Sequence, residues 1–214
     1  MASSLIIGFG AACVAVLLFA EYRARDWLRW LAKPAASTAF VALALTSGGL
    51  GSVYGQLILA GLVFCMLGDI LLIAKGRRLF LAGMGAFALG HLAYACAFAA
   101  IWAGFGALAI IAGFTIALAI SLSLRWLWPH LGAFRAPVAG YCLIIGVMTA
   151  MSFATTSPAG GAPYWLAAGG AIGFAASDIA VARDQFVKPA FINRLWGLSL
   201  YYAAQMMLAA SVSA

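Results

Sequence analysis

Two aspartates stand in stretches of sequence that otherwise exclude charge. Asp69 interrupts the apolar run 57–74 (LILAGLVFCMLGDILLIA), and Asp178 interrupts 163–182 (PYWLAAGGAIGFAASDIAVA). Inserting a carboxylate at such a position costs on the order of 3 kcal/mol or more, so it faces a cavity or a bundle interior and marks a functional site. The chain has only five acidic residues, and two of them are used this way. Two carboxyls sharing an apolar pocket repel, so one keeps its proton while the other ionises. That division supplies a general acid and a general base together. The plainer alternative is a pair of structural aspartates, each bonded to a hydroxyl or a helix end.

Further polar side chains recur at helical spacing. His91 and Tyr94 are three residues apart and share a helix face, and Tyr202 and Gln205 repeat that spacing beside Tyr201. Asn193 and Gln205 are costly in lipid unless bonded across helices. Lys33 precedes Pro34 at the start of an apolar run. There it either snorkels to the headgroups or neutralises a lipid phosphate near the aspartates. The only histidines are His91 and His130, too few for a three-histidine zinc hydrolase. Phosphate-loop, GxSxG and HExxH elements are missing from the sequence as well.

The elements that position these residues follow from composition. The chain is 66% hydrophobic and 8% charged, with mean hydropathy +1.09. This excludes a soluble domain and predicts an all-α polytopic membrane protein, one integral membrane domain over 1–214. Eight spans fit, near 3–20, 34–50, 56–74, 79–100, 105–124, 135–154, 163–182 and 194–212. Gly and Pro mark joints at 48–51, 104–106 and 158–163, and Pro34 and Pro137 fall in the first turns of spans two and six. The start of the chain has no basic stretch ahead of its apolar run and reads as a first spanning helix rather than a cleaved signal. Cys13, Cys65, Cys96 and Cys142 all lie within spans, without the spacing of a disulfide framework or a zinc site.

All twelve Lys and Arg fall in four alternate connections: 23–33, 75–78, 125–135 and 183–194. The positive-inside rule makes these loops cytoplasmic and puts both termini outside, as in a protein of a bacterial inner membrane. The net charge of +7 is thus a topology signal toward anionic lipid, not a nucleic-acid footprint. Gly68-Asp69-Ile70 and Ser177-Asp178-Ile179 each precede a basic loop, and Phe80 and Phe191 each open the next span. This pattern predicts two parallel four-helix repeats, 1–104 and 105–214. Each aspartate then lies about 8–9 Å inside the cytoplasmic end of its helix.

At these residues the sequence resembles the YhhN-like family, which includes the transmembrane lysoplasmalogenases. The resemblance rests on Lys33-Pro34, Gly68-Asp69-Ile70-Leu71-Leu72, and the run through Phe80, Gly83, Phe87, His91 and Tyr94. Ser177-Asp178 and Tyr201-Tyr202-x-x-Gln205 complete it. It implies an eight-helix fold, no cofactor, and hydrolysis of the vinyl ether bond of a lysoplasmalogen to a fatty aldehyde and a glycerophospho-headgroup. The family's two aspartates map onto Asp69 and Asp178. The chemistry suits an acid pair, because a vinyl ether is cleaved by protonating its distal alkene carbon. Lys33 would hold the phosphate. His91, Tyr94, Tyr202 and Gln205 would orient ether oxygen and water, with Asn193 and Tyr201 beside them. The expected partners are a single-chain lipid substrate and membrane lipids. A proton-coupled transporter of a small or amphipathic solute is the alternative, since paired intramembrane acids and parallel repeats also serve transport.

Overall fold

The computed structural model describes residues 2–102, 104, 106–155 and 161–213. Among them eight α-helices follow in order: α1 Ala2–Tyr22, α2 Asp26–Thr46, α3 Val53–Leu71, α4 Arg77–Ala100, α5 Ala107–Leu127, α6 Arg135–Ala154, α7 Ala162–Ala182 and α8 Phe191–Ala210. Two 3₁₀ turns, Trp128–His130 and Gly132–Phe134, join α5 to α6, and a π turn, Arg183–Val187, continues α7. Pro137 sits in the first turn of α6, and Pro163 in that of α7. Pro158, the other end of the last expected joint, lies outside the described residues, as does residue 105 within the joint at 104–106.

The helices match the expected spans to within a few residues, except at α2. This helix begins at Asp26, so Arg29 and Lys33 are helical rather than part of a connection, and Pro34 lies in the interior rather than the first turn. An acidic residue in the first turn suits the positive end of the helix dipole. The helix then passes Pro34 with the loss of one backbone bond. Ser37 Oγ and Thr38 Oγ1 fold back onto the carbonyls of Lys33 and Pro34, at 3.1 and 2.9 Å. The early start sets Lys33 one turn before Ser37 on the same face.

Six helices (α1, α3, α4, α5, α6 and α7) are long and apolar enough to cross a bilayer, which makes this an integral membrane protein. Helices α2 and α8 are as long but more polar. Several of their polar residues point inward: Ser37, Asn193 and Gln205 are all buried. Large apolar side chains cover the outside instead, among them Leu5 and Phe9 on α1 and Ile111, Phe114 and Leu118 on α5.

The most extensive packing is α3 on α4, α7 on α8 and α1 on α2; in addition α2 packs on α8 and α6 on α4. Small residues set how closely the aspartate-bearing helices approach. A Cβ at Gly61 would collide with the Tyr94 ring, and one at Gly68 would lie 2.8 Å from the Phe87 ring. Both rings are thereby laid against α3 on the N-terminal side of Asp69, Phe87 at the residue next to it.

Candidate active site

A cavity of about 1070 Å³ opens among the helices at the end of the bundle that carries the basic loops. Asp69 and Asp178 both line it, together with Lys33, Asn193 and Tyr201. Its remaining walls are largely apolar, from Phe80 and Phe87 on α4, Ile116 and Ile120 on α5, and Phe174 on α7. The cavity thus has a charged mouth and an oily interior, which is the polarity of a single-chain lipid.

Asp69 is buried at 2% exposure and collects three donors from two other helices. Lys33 Nζ lies 3.2 Å from Oδ1, Ser37 Oγ donates to Oδ2 at 2.6 Å, and Tyr201 donates its hydroxyl to Oδ2 at 2.7 Å. An ammonium and two hydroxyls converging on one carboxyl are the environment of a carboxylate. Asp178 differs. Tyr141 on α6 donates to its Oδ2 at 2.7 Å, and no cation lies within ion-pair distance of it among the described residues. The two aspartates share the cavity but have unlike partners.

The other expected residues form a layer behind Asp69 rather than the cavity wall. Tyr94 donates to Gln205 Oε1 at 2.9 Å, and Gln205 Nε2 donates to the Tyr201 hydroxyl at 3.2 Å. This chain fixes the oxygen that Tyr201 presents to Asp69. Tyr202 donates to the Lys33 carbonyl at 3.3 Å and lies 3.4 Å from Ser37 Oγ. His91 is fully buried. Its Nδ1 is 2.6 Å from the Phe87 carbonyl, which makes Nδ1 the protonated nitrogen, and its ring packs 4.4 Å from Phe174 and 5.3 Å from Tyr141. His91 thus packs against Tyr141, which donates to Asp178, and against Phe174 on the same helix as Asp178.

Asn193 belongs to a separate cluster at the mouth. Its Nδ2 donates to the Lys188 carbonyl at 2.8 Å and to Asp184 Oδ1 at 3.3 Å. The π turn swings Asp184 back onto α8, where its Oδ2 meets Arg194 at 3.2 Å. Arg194 also pairs with Glu21 at 3.2 Å, and Glu21 with Arg29 at 2.7 Å. These pairs tie the ends of α1, α2, α7 and α8 together around the cavity opening.

Ser37, Tyr141, Glu21, Arg29 and Arg194 were not singled out by the sequence reading. Ser37 carried a signal, since it lies four residues after Lys33 and so shares its face. Tyr141 carried none, because a lone tyrosine in an apolar helix reads as packing.

Comparison with known proteins identifies the family of the chain. The YhhN family matches residues 28–212. The chain is 36% identical to Lysoplasmalogenase TMEM86A of Bos taurus over 95% of its own length and 85% of that protein's. It is 36% identical to the human Lysoplasmalogenase TMEM86B over 77% of this chain and 65% of that one. It is also 32% identical to the membrane protein YhhN of Escherichia coli O157:H7 over 67% of this chain and 66% of that one. No solved structure matches the chain at a significant level. With a family match running from the first turn of α2 to the end of the described chain, and relatives aligned over most of its length, this protein belongs to the YhhN family.

Proposed function

We propose that this protein is a lysoplasmalogenase-type hydrolase that cleaves the vinyl ether bond of a single-chain alkenyl glycerophospholipid. The products are a fatty aldehyde and a glycerophospho-headgroup. The observation that carries the reading is one amphipathic cavity lined by two intramembrane carboxyls, both bonded to a tyrosine but only one paired with a lysine. The relatives named lysoplasmalogenase support it.

The partners divide the labour. Asp178, with one phenol and no cation, has a proton to give, and it protonates the distal alkene carbon to form an oxocarbenium ion. Asp69, held as a carboxylate by Lys33, Ser37 and Tyr201, stabilises that cation and takes a proton from the attacking water. The hemiacetal then collapses. Its hydroxyl proton returns to Asp178, Asp69 protonates the departing glycerol oxygen, and both groups are restored. The Tyr94–Gln205–Tyr201 chain keeps Asp69 in place while this happens.

Lys33 has three donors and uses one on Asp69, which leaves two toward the cavity for a lipid phosphate. Lys33→Ala is therefore expected to raise KM and lower kcat together, by about tenfold each, because it removes a phosphate contact and the charge partner of Asp69. Steady-state aldehyde release on the purified variant checks this. A change in KM alone would confine Lys33 to the phosphate.

The same reading takes all eight helices as spans of an inner membrane, with the basic loops cytoplasmic and both termini outside. The pairing of α2 with α8 and of α6 with α4 supports two parallel four-helix repeats. A phosphatase reporter fused to the C-terminus is expected to be active outside the cytoplasm; a cytoplasmic signal would reverse the orientation. The function itself is tested by incubating the detergent-solubilised protein with a lysoplasmalogen and measuring aldehyde. Absence of release from folded wild-type protein would overturn it.

A further inference from the structure

A groove of about 380 Å³ runs down the outer face of α5 and α6. Three of its residues, Ile116, Ile120 and Gly146, also line the internal cavity. The two spaces therefore adjoin at these residues. A Cβ added at Gly146 would collide with the end of Ile120, so the thickness of this wall is set by one isoleucine meeting one glycine.

Three features identify what the groove accepts. Its lining is apolar apart from Ser121, whose hydroxyl is already spent on the Ala117 carbonyl at 2.8 Å. A polar ligand would thus find no side-chain donor there and only the Ser121 oxygen as an acceptor. Ile116 and Ile120 lie five to nine residues before Arg125, about 8–14 Å from the basic end of α5, and Gly146 lies about 16 Å into α6 from Arg135. The wall is thus at acyl-chain depth in one half of a hydrocarbon core about 30 Å thick. Finally, α5 is the least embedded of the central helices. It packs chiefly on α6 and buries only Ala109, Ala112 and Leu127. Beyond α6, little of the bundle holds α5 in place, and its outer side carries exposed apolar residues such as Phe114 and Leu118.

We propose that the seam between α5 and α6, walled by Ile116, Ile120 and Gly146, is the slot through which the hydrocarbon chain of a single-chain lipid passes sideways between the bilayer and the cavity. The headgroup remains at the charged mouth. This rests on the hydrolase reading for the identity of the lipid, but not for the geometry of the slot. A long chain reaches from the carboxyls through the seam into the leaflet, so the cavity does not have to enclose it.

Two measurements test the slot. The first uses a non-hydrolysable alkyl lysophospholipid carrying a diazirine at its chain end, photolysed with the purified protein. Adducts are expected on residues 113–121 and 143–150, and Ile120→Trp is expected to remove them. Adducts confined to other helices, or unchanged in Ile120→Trp, would overturn the slot whether or not the protein hydrolyses anything. The second compares hexadecenyl with butenyl lysoplasmalogen. Overfilling a packed site in Ile120→Trp is expected to lower the ratio of kcat/KM for the long chain over the short one by roughly tenfold. Ile120→Ala, which opens the wall, is expected to keep the adducts and to admit a phenyl-tipped chain that wild type accepts poorly. An unchanged ratio in both variants counts against the slot. Failure of wild type on both substrates instead removes the hydrolase reading, and the photolabel still decides the slot.

Discussion

Asp178→Asn is expected to release aldehyde between about a hundredfold and ten-thousandfold more slowly than wild type, with little change in thermal unfolding. An amide has no proton to place on carbon, so the slow step loses its acid. The structure itself has little reason to respond. The amide oxygen still accepts the Tyr141 hydroxyl that now lies 2.7 Å from the carboxyl. No ion pair is broken, because no cation lies within ion-pair distance of Asp178 among the described residues. Single-turnover aldehyde release together with a melting curve in detergent reads both halves. A variant that retains wild-type rates would remove Asp178 from the proton-donating role.

Asp69→Asn is expected to behave differently, losing activity and stability together. The carboxylate that steadies the cation disappears, a loss of about a hundredfold to a thousandfold. The Lys33 ammonium, 12% exposed and 3.2 Å from Asp69, is left without its counter-charge. Breaking a buried pair on one side costs about 3–5 kcal/mol, whereas replacing both partners with uncharged groups of similar size is often close to neutral. The double variant Asp69→Asn/Lys33→Met should therefore regain most of the melting temperature and none of the activity. The contrast between the two aspartates is the informative result. If Asp69→Asn melts where Asp178→Asn does, the two carboxyls are not distinguished by Lys33, and the assignment of base and acid fails with it.

Much of this site was legible because membrane insertion penalises polarity so heavily. In an apolar helix an aspartate, asparagine or glutamine stands out, and Asp69, Asp178, Asn193 and Gln205 were found on that ground alone. Spacing found Tyr94 with His91 and Tyr202 with Gln205. The boundaries of α2 were harder to read. Its first two turns carry Asp26, Arg29 and Lys33, which a hydropathy reading assigns to a loop, although here they form a helix that joins the ion pairs around Glu21. The polarity that marks the site also lowers the hydropathy of α2 and α8, which is why these helices look least like spans although they supply Lys33, Ser37 and Tyr201 to Asp69. That Asp69 takes a lysine, a serine and a phenol while Asp178 takes a phenol alone depends on packing between helices, some of it across more than a hundred residues, as between Tyr201 and Asp69. Sequence periodicity carries no information about that.

Helix α8 supplies the Tyr201 hydroxyl to Asp69 and the Gln205 that steadies it, and its Arg194 closes the ring of charges at the mouth. During synthesis this helix leaves the ribosome after the seven helices that precede it. A nascent chain therefore carries both aspartates, with Lys33, Ser37 and Tyr141, before it carries the Tyr201 hydroxyl and the Gln205 behind it. On the proposed mechanism the setting of Asp69 is complete only once α8 docks, so a chain that stops before α8 is expected to lack hydrolysis.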